Sequence, residues 1–160
     1  MSDAAGRFSE ASAAAGLAPD VRRFPEGTRT ADDAARAIGC DVGQIVKSLV
    51  FVARSEPVLA LTSGRNRVDT AKLAALCGAP DARKATADEV RAATGYAIGG
   101  TPPFGHPRRL RCFADPDLVA FDIVWAAAGT PDSVFAIHPD ELLRLAGARV
   151  APFTETRPGG

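Results

Sequence analysis

Residues 44–62 read Gln44-Ile45-Val46-Lys47-Ser48-Leu49-Val50-Phe51-Val52-Ala53-Arg54-Ser55-Glu56-Pro57-Val58-Leu59-Ala60-Leu61-Thr62. Two runs rich in β-branched and aliphatic residues, Ile45 to Ala53 and Pro57 to Thr62, flank the polar triplet Arg54-Ser55-Glu56. This is the pattern of two antiparallel strands joined by a turn. Strand alternation sets Lys47 on the face of Ile45, Leu49 and Phe51. Both faces of the first strand are apolar, so it is expected at the centre of a sheet with core on each side. A lysine there has two outcomes. It snorkels from the strand end to water, or it points into a polar pocket as a fixed ammonium for a phosphate or carboxylate.

Shorter elements surround this hairpin. Residues 3–15 form an Ala-rich helix stopped by Gly16, and Val21 to Phe24 a strand closed by Pro25-Glu26-Gly27. Thr30 caps a helix with Asp32 and Asp33 in its first turn, where the helix dipole favours carboxylates; that helix stops at Gly39. Asp69 caps a helix from Thr70 to Cys77, and the capping-box pattern Thr86-Ala87-Asp88-Glu89 opens another from Ala87 to Ala93. Strands are expected over Leu110 to Phe113, within Val119 to Ala127, and over Ser133 to Ile137. Pro139 opens a last helix just after His138, Gly147 ends it, and Val150 to Phe153 reads as an edge strand. Hairpin-spaced strands mixed with short helices predict an α+β fold, a single domain around one mixed sheet.

Composition narrows the class. The chain has 160 residues, 46% of them hydrophobic and 24% charged, which suits one globular domain with an adequate core. Lys+Arg and Asp+Glu are both 19, which counts against a polybasic nucleic-acid coat. The apolar runs are far below the ~20 residues of a membrane span, and Met1-Ser2-Asp3 does not open a signal peptide. Cys40, Cys77 and Cys112 are widely spaced, and with two histidines they give no zinc pattern; a reduced, cytoplasmic protein is expected. No nucleophile elbow, Walker loop or His-Glu-x-x-His is present, so a Ser or Cys triad is not expected. In an enzyme of this kind, water would be activated by backbone groups or by the substrate itself.

Charge is uneven along the chain. Residues 63–112 hold nine basic and four acidic side chains, while both flanking segments are net acidic. The middle third is therefore the expected anion-facing surface, unless the three segments mix in space. Within it, Arg108, Arg109 and Arg111 follow His106 and either meet backbone phosphates or form a solvated face.

The loop Gly99-Gly100-Thr101-Pro102-Pro103-Phe104-Gly105 precedes those arginines. Its glycines let a ligand approach the main chain, and its prolines stiffen the chain and remove two N–H donors. A rigid loop with few aimed donors suits a developing oxyanion; an ordinary Gly/Pro turn explains it equally. Gly129-Thr130-Pro131-Asp132 interrupts a later apolar run as a turn.

Taken in order and spacing, Gln44 to Phe51, Gly99 to Gly105 and the Val124 to Gly129 strand-turn resemble the YbaK/ProX family of aminoacyl-tRNA editing domains, over roughly residues 20–153. The resemblance implies a barrel-like mixed sheet flanked by short helices, preceded by an N-terminal helix over 1–19 and followed by a flexible tail over 154–160. It implies hydrolysis of the ester joining a wrong amino acid to tRNA, in trans because no synthetase body is attached. It places Lys47 as the essential lysine at the phosphate end of the terminal adenosine. Gly99, Gly100, Thr101 and Pro103 complete the catalytic set, the loop positioning ester and water. Ser48, Pro102, Phe104, His106, Gly129 and Thr130 surround the substrate, and no metal or cofactor is implied. The expected partner is the tRNA acceptor end, with prolyl-tRNA synthetase or an elongation factor as candidate protein partners; membrane and DNA are not expected. Members specific for cysteinyl-tRNA commonly have serine where this chain has Pro102, and alanine-specific members a His-Pro pair where it has Ala127-Ala128. Both departures point to another branch acting on a small amino acid, with a proline tRNA. A catalytically silent binding module of the same fold is the alternative.

Overall fold

The computed structural model describes residues 3–24 and 30–156. In chain order the first elements are helix Ala4–Ala14 (α1), strand Val21–Arg23 (β1), helix Ala31–Ile38 (α2), and strands Val46–Ala53 (β2) and Glu56–Ser63 (β3). Helix Thr70–Leu76 (α3), strand Arg83–Lys84 (β4), helix Ala87–Thr94 (α4) and strand Arg111–Ala114 (β5) follow. Strands Val124–Ala127 (β6) and Ser133–Ile137 (β7), helix Pro139–Ala146 (α5) and strand Ala148–Val150 (β8) complete the fold.

The hairpin forms as the sequence predicts, with Val46 opposite Ser63 and Ala53 opposite Glu56. Its turn is tighter than the expected triplet. Only Arg54 and Ser55 lie outside the strands, both with positive φ (50° and 64°), the geometry that follows the strands' own twist. β2 is a central strand, between β3 and the short β4; β5 and β8 add in parallel beyond β3, in the order β4-β2-β3-β5-β8. β1, β7 and β6 make a separate antiparallel sheet of three. The architecture is α+β with mixed pairing. The expected mixed-sheet α+β fold forms, its strands falling in two sheets that share a core and are joined among the described residues by the parallel bridge Ile45 to Trp125.

β2 parts two cores. Val46 and Val50 pack with Leu59, Leu61, Phe104, Val124 and Phe135 on one side. Phe51 and Ala53 pack with Val58, Leu73, Phe113 and Phe153 on the other. Helix α1 belongs to the first of these. Phe8 is 2% exposed, with ring centroids 4.8 Å from Phe135 and 5.7 Å from Phe104. The predicted caps form: Thr30 accepts from Asp33 N–H, Asp69 from Ala71 and Lys72, and Thr86 and Glu89 reciprocally; the structure adds a cap the sequence did not suggest, His138 Nδ1 accepting from Asp140 N–H.

Three boundaries differ from the sequence reading. Pro116–Ala120 is a 3-10 turn capped by Asp115, so strand structure in the 119–127 region is confined to Val124–Ala127. The last strand is Ala148–Val150 rather than Val150 to Phe153, because Ala151 and Phe153 turn into the second core. Thr154 bridges Val68 and Glu155 N–H donates to the Arg67 carbonyl at 2.8 Å, so the chain is held through residue 155. The expected Pro25-Glu26-Gly27 closure and the last residues of the tail lie outside the described residues.

Because Phe8 is fully enclosed by two other rings, Phe8→Ala should lower unfolding stability by about 3–5 kcal/mol. Urea denaturation checks this; a loss below about 1 kcal/mol would mean that α1 does not share the core.

Candidate active site

Lys47 is the second residue of β2, opposite Thr62 and half-buried. Its Nζ donates to the Asn66 carbonyl at 2.5 Å. Asn66 is fixed in turn: its Nδ2 donates to Asp115 Oδ2 at 2.8 Å and to Asp117 Oδ2 at 2.7 Å, while Asp115 also accepts from Ser63 N–H. The nearby carboxylates are thus engaged by amides, and the lysine's hydrogen-bond partner is a neutral carbonyl. Among the described residues no ion pair includes Lys47. Burial pushes its pKa below the usual 10.5; the positive charge of Arg67 adds to that, Lys84 adds less, and Asp115 and Asp32 oppose it. The ammonium is held in place by a neutral carbonyl, with no carboxylate in ion-pair contact among the described residues, an arrangement that favours an incoming anion.

Ser48, next along the strand, leaves the opposite face of the sheet. Its Oγ is buried, and among the described residues it is the one such side-chain atom with no hydrogen-bond partner.

The 99–105 loop is braced from within. Gly100 N–H donates to the Ala97 carbonyl at 3.0 Å, and the buried Thr101 hydroxyl donates to the same carbonyl at 3.1 Å. His106 Nε2 lies 2.8 Å from the Pro102 carbonyl. A carbonyl only accepts, so Nε2 carries the proton. Burial holds the His106 pKa below its ordinary 6.5, against the opposing pull of that hydrogen bond. Phe104 points into the core, edge-on to Phe135.

The loop is seated on the turn that follows β6. A Cβ on Gly100 would fall 2.9 Å from Thr130 backbone atoms, so only glycine permits this approach. Gly129, at φ +105°, approaches the Ala4 carbonyl of α1 as closely. Thr130 Oγ1 bonds Asp132 and Ser133 at 2.6 Å, fixing the turn. Gly99, Gly100, Gly129 and Thr130 are therefore brought together, with Pro131 against Gly99. Pro103, Phe104 and His106 face elsewhere, lining a cavity of about 200 Å³ with Leu59, Arg109 and Leu145.

Lys47 does not line that cavity, and among the described residues no hydrogen bond joins it to residues 99–105. The link between the two is a strand contact. The isolated parallel bridge Ile45–Trp125 lies two residues before Lys47 on one chain segment and within β6 on the other. The turn seating the loop begins just beyond β6. The sequence reading missed Asn66, Asp115 and Asp117, which fix the lysine. They sit in turn-like stretches that resemble ordinary loops, and only burial (4% exposed for Asn66, 1% for Asp115) distinguishes them. Among the described residues no three His, Cys, Asp or Glu side chains gather as a metal group, and no helix is long and apolar enough to cross a membrane.

Residues 25–145 match the aminoacyl-tRNA editing domain family. The chain belongs to that family. A crystal structure described as a proposed trans-editing enzyme for prolyl-tRNA synthetase superposes with a TM-score of 0.91 at 48% identity, covering 98% of this chain and 99% of the other. EbsC of Enterococcus faecalis, named for a proposed Cys-tRNA(Pro)/Cys-tRNA(Cys) deacylase activity, is 26% identical over 132 residues, 82% of this chain and 80% of EbsC. The proline–tRNA ligase of Nitratidesulfovibrio vulgaris strain DP4 is 37% identical over 92 residues, 58% of this chain but 16% of the ligase. The editing-domain chain described here thus corresponds to a small part of that synthetase.

A half-buried neutral imidazole makes loop bracing sensitive to pH. His106 has a lowered folded pKa, so its contribution is complete above about pH 6.5 and is lost as pH falls through the folded value. Thermal unfolding at pH 7.5 and 5.5 should show a larger loss for the wild type than for His106→Gln, whose amide N–H still donates but does not titrate. Equal losses in the two proteins would contradict this.

Proposed function

We propose that this chain is a trans-acting deacylase that hydrolyses the ester between a small, mismatched amino acid and a proline tRNA. The observation that carries this reading is the half-buried Lys47 ammonium, held by the Asn66 carbonyl with no carboxylate paired to it. In a member of the editing family, such a cation suits the phosphate end of the terminal adenosine. The bridge from Ile45 to Trp125 ties the start of β2 to β6, whose following turn seats Gly99 and Gly100, and this supports the lysine and the loop serving one aminoacyl terminus. The names of the relatives, EbsC and the prolyl-tRNA trans-editing structure, support a proline tRNA as carrier.

Little side-chain chemistry is required. Water attacks the ester carbonyl carbon, the bond to the ribose oxygen breaks, and that oxygen leaves as a hydroxyl, giving free amino acid and intact tRNA. The aminoacyl ester is already activated and the neighbouring ribose hydroxyl assists. Positioning by the lysine and the loop supplies several kcal/mol of barrier reduction, of the order available to oriented reactants. In this reading selectivity rests on excluding larger amino acids.

One observation favours a silent binding module instead. Gly100 N–H and the Thr101 hydroxyl are both spent on the Ala97 carbonyl, which leaves the loop fewer donors for an oxyanion. The two readings separate on a panel of tRNAs charged with Ala, Ser, Thr, Cys and Pro. The deacylase releases amino acid from at least one of them, and Lys47→Ala lowers that rate about 100-fold or more while the fold is retained. Tight, salt-sensitive tRNA binding with no release above the spontaneous rate selects the module.

A further inference from the structure

At the far end of the β2–β3 hairpin from Lys47, four arginines line one cavity of about 380 Å³: Arg54, Arg108, Arg109 and Arg111. Lys47 and Ala53, which also lines the cavity, are separated by about 20 Å of strand, so the two places are distinct. Glu56 is the one carboxylate in the lining. Among the described residues no ion pair includes any of the four arginines.

Two of them are held by neutral groups at the end of α3. Arg54 Nε donates to the Gly78 carbonyl at 2.9 Å, and Arg111 donates to the Cys77 and Leu76 carbonyls at 3.2 and 3.1 Å. These bonds fix the guanidinium groups without cancelling their charge. Arg54 also occupies a turn position with φ 50°, where glycine or asparagine would cost less strain. Arg109 lies over the α5 terminus: a Cβ on Gly147 would fall 2.5 Å from its NH1. Most of the middle segment's nine basic side chains lie elsewhere, Arg65 and Arg83 in ion pairs with Asp41 and Glu89. Arg108, Arg109 and Arg111 come together and recruit Arg54 from the hairpin.

Four guanidinium forks, two of them fixed by neutral carbonyls and set against a single carboxylate in the lining, match phosphate oxygens, and a cavity of this size exceeds a single phosphate. We propose that this cavity is a second phosphate-binding site, which holds backbone phosphates of the tRNA acceptor stem while the aminoacyl end lies at Lys47. The choice of RNA rests on the deacylase reading; the arginine geometry does not. The spacing suits a stem that runs along the hairpin, and a chain with no net charge gains its RNA affinity from such a local cluster.

The test is binding of uncharged proline tRNA by fluorescence anisotropy across a salt series, with wild type, Arg108→Ala, Arg109→Ala, the double variant, and Arg36→Ala as a charge control on an exposed helix. The double variant should bind about 10-fold or more weakly, and the slope of log K against log salt should fall by about one per arginine removed. Arg36→Ala should leave both unchanged. Release of amino acid from an aminoacylated CCA trinucleotide, too short to reach the cavity, should match wild type in the double variant. Unchanged tRNA affinity and slope in the double variant overturn the proposal, whether or not the chain hydrolyses any ester. Thermal stabilisation by inorganic phosphate that is lost in the double variant, with tRNA binding unaltered, would mean that the site takes free phosphate and not RNA, and overturns it too. Absence of ester release already in the wild type, with the predicted binding changes, would instead contradict the deacylase reading and leave the site standing; release from the trinucleotide by the wild type but not by the double variant would mean that the cavity is part of the reacting site, and overturns the proposal.

Discussion

The rest of the molecule is arranged around the burial of one ammonium in a strand with core on both faces. Desolvating a lysine costs several kcal/mol unless polar groups receive it. β2 meets that cost through the Asn66 carbonyl, which Asp115 and Asp117 hold in place from the turns after β3 and β5. The carboxylates act at one remove, through an amide. The lysine is therefore held by a neutral carbonyl and, among the described residues, completes no ion pair.

Around that strand the two sheets share a core and are bridged at Ile45 to Trp125, and the space beyond is governed by glycine. Gly100 and Gly129 bring three backbones (the 99–105 loop, the turn after β6 and the start of α1) closer than any side chain would allow. Phe8, Phe104 and Phe135 then anchor the same three segments in one aromatic cluster. Loop position is thus an outcome of core packing, and helix α1 is part of the site's support. At the other end of the hairpin the same strands carry the arginine cavity, so one rigid element spans both anion-facing places.

The hairpin, the caps and the helix stops were legible because each rests on local rules: alternation, a hydroxyl or carboxylate before a helix, a glycine after it. Lys47 stood out because a charge in a doubly apolar strand is a conflict readable from sequence alone. The loop could be singled out by composition, but its seating on Gly129 and Thr130 is a contact across the fold that no local pattern encodes. The 3-10 turn at Pro116 and the two-residue β4 were missed because both are too short to carry a period. Asn66, Asp115 and Asp117 have the composition of a solvated turn, and tertiary burial alone converts them into the lysine's support. Ser48 shows the limit of adjacency: next to Lys47 in sequence, it faces the other core.

The most direct measurement is a crystal structure of the protein with a non-hydrolysable 3′-amide analogue of aminoacyl-adenosine carrying its 5′-phosphate. The account predicts the phosphate within hydrogen-bond distance of Lys47 Nζ and the amide carbonyl facing Gly99 to Thr101. An analogue bound with Lys47 still turned only to Asn66, and residues 99–101 untouched, would contradict it.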